Sequence, residues 1–309
     1  MPSGRSLAIG LSVVAAFGWA TYYLFVLWVT PGTSPSATLV YPFVGGALGW
    51  GVWAVLRSEG RALRREFLDV RGYLRAGLLV GMQASVLAST YLTGPVDASL
   101  LSLIGDLVAT PLLVAWWVAE RRRQVTSALF AFGLLLSVVG GGLAIAGGHS
   151  LEAVPPAGWL AVPAVPLAVA LYFVVSARDA SKVGLSAAVG QSIVCAGGLA
   201  ALFAPLVPGG WGGLVRVGSL PLLLLLVNGL VSFFLAPLCY FTAIARAGLL
   251  LPPTLMTGIP VFTLLLTAAV LGIVPPSVAL LGVPVAVAGG LVALRAERPV
   301  PDRAATASP

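Results

Sequence analysis

The sequence predicts an all-α integral membrane protein, with ten transmembrane helices arranged as two inverted five-helix repeats. Three observations carry that expectation. Of the 309 residues, 59% are hydrophobic and only 9% charged, with mean hydropathy +1.03. That is more apolar surface than a soluble domain can hide. The basic residues segregate between alternate loops, and the chain matches itself at a constant offset of 149 residues.

Ten apolar segments follow in order: Leu7–Val29, Ala37–Leu56, Leu74–Leu92, Ala98–Val118, Ser127–Ala146, Ala157–Ala177, Ser186–Leu206, Leu220–Ile244, Leu249–Leu271 and Val278–Leu294. Each is long enough to cross a hydrocarbon core of about 30 Å with some tilt. The first does not read as a cleavable signal peptide, because its apolar run is too long and no small-x-small site ends it.

With the N-terminus in the cytoplasm, alternation puts Arg5, the six arginines of Arg57–Arg75, Arg121–Arg123, Arg178, Lys182, Arg246, Arg295, Arg298 and Arg303 on the cytoplasmic side. That is 16 positive charges against Arg216 alone outside, the positive-inside pattern. Both termini are therefore expected in the cytoplasm of a cell (inner or plasma) membrane. The net charge of +7 reads as a topology signal and contact with lipid headgroups, with no nucleic-acid partner expected.

At the offset of 149, Tyr23 pairs with Tyr172, Tyr91 with Tyr240, Pro111 with Pro260, Gly133 with Gly282 and Gly140 with Gly289. A register shared by Pro, Gly and Tyr is hard to reach by chance among Leu-rich spans. Five spans per repeat is an odd number, so the second repeat is inverted, an arrangement recurrent in transporters with a midplane site. The boundaries read as residues 1–146 for the first repeat and 147–156 for an outer linker. Residues 157–295 form the second repeat, and 296–309 a cytoplasmic tail expected to be disordered.

Asp106 stands near the middle of the fourth span, at a depth where a carboxyl costs roughly 2.5–3.5 kcal/mol to insert. Its mate in the second half is Leu255. A unique acid at a pseudo-symmetric interface suits substrate binding or proton coupling; the alternative is a protonated interhelical hydrogen bond. Gln83, Gln191 and Asn228 are further polar groups inside spans, each as suited to helix–helix contact as to a substrate. Trp19, Tyr22 and Tyr172 lie deep and could stack on a substrate or simply pack. The other tryptophans, Trp50 among them, read as interface anchors. Pro111 and Pro260 are candidate kinks, or hinges, because each removes a helical N–H. His149 is the only histidine, so no metal site is expected. No nucleophile elbow, HExxH or phosphate loop is present, so neither an enzyme nor a cofactor is expected.

The Pro111–Gly133–Gly140 frame, repeated at identical spacing as Pro260–Gly282–Gly289, resembles the EamA-type unit of the drug/metabolite transporter superfamily, over roughly residues 7–295. The resemblance implies a permease in which spans 1–4 and 6–9 enclose a central cavity. It would move a small metabolite by alternating access, exporting an amino acid or related compound, with protons as the candidate coupling ion. Members often carry a Glu thirteen residues after the proline; here Gln124 and Ile273 stand there, with Glu120 nearby. An Arg common in the family's second span is replaced by the Tyr41–Pro42 region. Efflux of hydrophobic cationic drugs is the alternative within transport. A non-transporting sensor or scaffold is the alternative from another class. The glycine runs at Gly45–Gly46, Gly140–Gly142 and Gly289–Gly290 suit close helix approach, within the chain or in an oligomer.

Overall fold

Placed in lipid, a backbone has no water to satisfy it and must close its hydrogen bonds within helices. Every secondary-structure element among the described residues is helical. The computed structural model describes residues 4–58, 60–61, 67, 69–93, 98, 102, 127–148, 156–247, 251–256, 258–272 and 277–295. Asp106, Pro111, Glu120, Gln124, His149 and nearly all of the expected fourth span lie outside these.

The helices are α1 (Gly4–Val29), α2 (Pro35–Leu56), α3 (Val70–Thr93), α4 (Ala128–Gly148) and α5 (Pro156–Val183). A π-helical turn at Ser186–Gly190 leads into α6 (Gln191–Phe203), and a short helix, α7 (Gly210–Val215), follows. The next rod is α8 (Ser219–Gly229), a second π-helical turn at Leu230–Leu235, and α9 (Ala236–Ala247). The described residues end with α10 (Leu251–Leu255), α11 (Gly258–Leu271) and α12 (Ser277–Arg295). Among the described residues, four stretches, Gly4–Val29, Pro35–Leu56, Ala187–Leu206 and Ser219–Ala247, are long and apolar enough to cross a membrane.

Local chemistry sets the boundaries. Ser34 caps α2, its hydroxyl accepting from the Ala37 N–H at 3.2 Å, and Pro35 opens the first turn, where a missing N–H costs nothing. Gly184 ends α5 in the left-handed conformation at φ 95°, which a side chain would strain. The ninth expected span is broken, since Met256 forms a turn between α10 and α11. Pro260 therefore sits in the first turn of α11 rather than kinking one long helix.

The packing is inside-out relative to a soluble bundle. On α1, Ala8, Ser12, Ala15, Ala16 and Ala20 are fully buried, while Val13, Val14 and Phe17 face outward. Small residues inside let helices approach, and large apolar ones outside suit lipid. Helix α1 packs on α9 and α11; α2 packs on α6, α8 and the second π-turn; α3 packs on α5 and α6. Helix α4 packs antiparallel on α12: a Cβ on Gly133 would meet the Gly289 carbonyl at 2.6 Å, and one on Gly140 the Gly282 carbonyl at 2.7 Å. Between these contacts the Ser137 hydroxyl donates to the Ala286 carbonyl at 2.9 Å.

The closest crossing joins α2 to the α8–α9 rod. A Cβ on Gly45 would stand 2.1 Å from the Leu226 carbonyl oxygen, and one on Gly229 equally close to that of Pro42. Gly45→Ala should therefore lower the melting temperature in detergent, with a cost of about 1–3 kcal/mol for overpacking. Gly77, whose Cβ would meet nothing within 4 Å, is the control. Gly77→Ala should be neutral or stabilising by up to about 1 kcal/mol.

Candidate functional site

Helical periodicity brings three recurring sets of side chains to one space. Trp19, Tyr22 and Tyr23 come from α1, Leu79, Met82, Gln83 and Val86 from α3, and Val169, Tyr172 and Phe173 from α5. Each set follows the i, i+3, i+4 spacing of one helix face. Ile193, Ser232, Phe233, Pro237, Ile259 and Ser102 complete the wall. About 60 Å³ of the cavity is wide enough to admit a water-sized sphere, within some 610 Å³ counted with its open side. That is room for a few water molecules as the walls stand.

Its aromatic wall is tightly built. Trp19, Phe173 and Tyr240 form a three-ring cluster with centroids 5.1 Å (Trp19–Tyr240), 5.2 Å (Trp19–Phe173) and 4.9 Å (Phe173–Tyr240) apart. It joins α1, α5 and α9. Phe233 meets Tyr22 at 6.1 Å and Phe43 at 4.7 Å.

The polar groups of the wall divide into satisfied and unsatisfied. Tyr23 and Ser102 share a hydrogen bond of 2.8 Å, and the Ser102 hydroxyl is also 3.1 Å from the Ala98 carbonyl. In contrast, the Tyr22 hydroxyl, the Gln83 Nε2 and the Tyr172 hydroxyl are buried with no hydrogen-bond partner. Tyr22 approaches the Gln83 side chain without closing a hydrogen bond. An unpaired buried polar group costs about 1–3 kcal/mol, so three of them facing one apolar cavity mark a place where a ligand can supply partners.

The second π-turn shapes one side. Pro237, four residues after Phe233 and five after Ser232, has no N–H to give, so carbonyls one turn before it are open to other donors. Two indoles take them: Trp19 Nε1 donates to the Ser232 carbonyl and Trp50 Nε1 to the Phe233 carbonyl, both at 2.9 Å. Trp50 is thus fully buried and not the interface anchor that the sequence suggests. Trp28 and Trp211, by contrast, are exposed.

Of the sequence-nominated residues, Trp19, Tyr22, Gln83 and Tyr172 come together on the cavity. Asn228 and Gln191 are not among the described residues lining it. The Ser232 hydroxyl lies 2.8 Å from Asn228 Oδ1 and 3.1 Å from the Gly18 carbonyl. One proton cannot serve two acceptors, and Asn228 Nδ2 lacks a partner. Exchanging the two amide atoms closes the set: Nδ2 donates to Ser232, which donates to Gly18. Ser232 therefore ties the π-turn to α1, with Asn228 backing its hydroxyl.

Gln191 belongs to a cluster that sequence reading missed. Arg75, counted there as a loop charge, is inside α3 and buried. Its Nη1 meets Asp179 Oδ2 at 2.5 Å, its Nε donates to Ser192 Oγ at 3.1 Å, and its Nη2 to Gln191 Oε1 at 3.4 Å. Gln191 Nε2 in turn reaches Cys195 Sγ at 3.4 Å. The pairing had a sequence signal: Arg75 and Asp179 both fall at predicted cytoplasmic ends of their spans. Among the described residues, no group of His, Cys, Asp and Glu could hold a metal ion.

A helical chain with several helices long and apolar enough to cross a bilayer, closed around an aromatic cavity, suggests a membrane protein. No family model matches the chain, and no curated protein matches it. A protein known by its crystal structure shares the fold, with a TM-score of 0.74 and 24% identity over 96% of this chain and 100% of that one. That likeness shows the fold alone.

Trp50→Phe should lower the melting temperature, because it strands the Phe233 carbonyl in an apolar interior at a cost of about 1–3 kcal/mol. Trp28→Phe, at an exposed position, should leave it unchanged. Thermal melts followed by circular dichroism check both.

Proposed function

We propose that this chain is a membrane transporter of the EamA type, a permease that exports an amino acid or a related small metabolite by alternating access. The observation that carries the reading is the cavity. It lies between helices from both halves of the chain, is walled by aromatic rings, and holds three unpartnered polar groups, on Tyr22, Gln83 and Tyr172.

The two-repeat arrangement belongs to the same proposal, and helix bounds support it. Shifted by 149 residues, the starts of α2, α3 and α4 at 35, 70 and 128 fall at 184, 219 and 277; helical structure begins at 186, 219 and 277. The α4–α12 contacts obey the same rule. Adding 149 to one partner and subtracting it from the other turns the Gly133–Gly289 approach into the Gly282–Gly140 approach. The break between α10 and α11, with Ile259 on the cavity wall, is the kind of discontinuous helix that transporters use at a midplane site. Asp106 is proposed as the proton-coupling acid, and the cytoplasmic placement of both termini rests on the loop charges.

Efflux of a hydrophobic cation stays as a second reading because the ring-lined wall offers π faces to such a ligand. Counterflow in proteoliposomes separates the two. Labelled amino acids and tetraphenylphosphonium would each be offered to vesicles preloaded with the unlabelled compound. Saturable counterflow of an amino acid is expected, reduced about tenfold or more in Gln83→Ala, which removes both polar atoms of that side chain. Counterflow of the cation alone would favour drug efflux, and none with either class would overturn the transporter reading.

A further inference from the structure

The Arg75 cluster lies directly below the cavity. Leu79, one turn along α3 from Arg75, lines the cavity, as does Ile193 beside Ser192. The Arg75 guanidinium also acts electrostatically on the Tyr172 hydroxyl. On α5, Tyr172, Ser176 and Asp179 stand at i, i+4 and i+7, so a single helix face runs from the cavity wall to the ion pair. The hydroxyls of Tyr172 and Ser176 adjoin one another. Both are buried, and neither closes a hydrogen bond to any other group. Two hydroxyls that have only each other, within electrostatic reach of a buried guanidinium, make a donor set that Asp179 does not use up.

We propose that Arg75, Tyr172 and Ser176 form an anion subsite at the base of the cavity, which receives the carboxylate of an amphipathic ligand in exchange for Asp179. The inference rests on the cavity being a ligand site and adds which end of the ligand goes where: the apolar body among the rings, the carboxylate toward Arg75. Asp179 suits the part of displaceable occupant. Its side chain is 13% exposed against 1% for Arg75, so it sits on the outer side of the pair. Lys182, exposed one turn further along α5, offers the released carboxylate a new partner. Arg75 stays ion-paired throughout, so the exchange never leaves a bare charge in the interior. A purely structural salt bridge would need neither the two idle hydroxyls nor a position at the cavity floor.

Three probes share one ring system and differ in charge: indole-3-acetate, tryptamine and 3-methylindole. Their binding to the full chain in lipid nanodiscs can be measured by calorimetry, with empty discs subtracted. Indole-3-acetate should bind about tenfold or more tightly than the other two, as a charge-assisted contact requires. Asp179→Asn removes the competitor and should tighten indole-3-acetate by about tenfold again. It should leave 3-methylindole unchanged. Tyr172→Phe should weaken the anion alone. Arg75→Gln should abolish the preference; if it does not fold, the Asp179 and Tyr172 variants decide. Equal or tighter binding of tryptamine or 3-methylindole would overturn the anion subsite while leaving the cavity reading standing. So would Asp179→Asn with unchanged or weaker anion binding. Binding of none of the three would overturn both.

Discussion

The crossing of α2 on the α8–α9 rod is the contact on which the rest depends. Gly45 and Gly229 let two backbones meet with no side chain between them, and at that distance the indole of Trp50 reaches the carbonyl of Phe233. The π-turn at Leu230–Leu235 would otherwise leave loosened carbonyls in an apolar interior, where an unsatisfied group costs several kcal/mol. Trp19 closes the neighbouring carbonyl from α1. The same turn aims Ser232 and Phe233 at the cavity. Close approach, backbone irregularity and cavity wall are thus one physical arrangement.

The cavity inverts the accounting used elsewhere in the protein. Outside it, buried polar side chains are mostly tied back to their own helix or across to the next: Ser12 to Ala8, Thr90 to Val86, Ser137 to Ala286. Around the cavity, Tyr22, Gln83, Tyr172 and the adjoining Ser176 are left without partners. A membrane interior penalises such groups heavily. These four lie on the cavity wall or adjoin it.

Hydropathy made most of the helices legible. The bounds of α1, α2, α3, α4 and α12 follow the apolar segments to within a few residues, because lipid demands a continuous apolar run. The π-turns and the break at Met256 were hidden, since hydropathy does not register hydrogen-bond spacing. Trp19, Tyr22, Gln83 and Tyr172 were recognisable as aromatic or polar groups too deep to be anchors. Trp50 was misread because composition does not say which helix face a residue occupies. Arg75 was misread because the apolar segment begins beside it at Leu74, so its charge was counted with the loop. Nearly all of the fourth span, Asp106 included, lies outside the described residues, and the role of Asp106 stands on the sequence argument alone.

The central claim is that the cavity opens to each side of the membrane in turn. Met82, on the cavity wall, can be replaced by cysteine in a background carrying Cys195→Ser and Cys239→Ala, and labelled with a membrane-impermeant maleimide. Right-side-out and inside-out vesicles would be compared. The account predicts labelling from both faces, with saturating ligand changing the two rates. Labelling from one face only, at a rate no ligand alters, would contradict alternating access and leave the cavity a dead-end binding pocket.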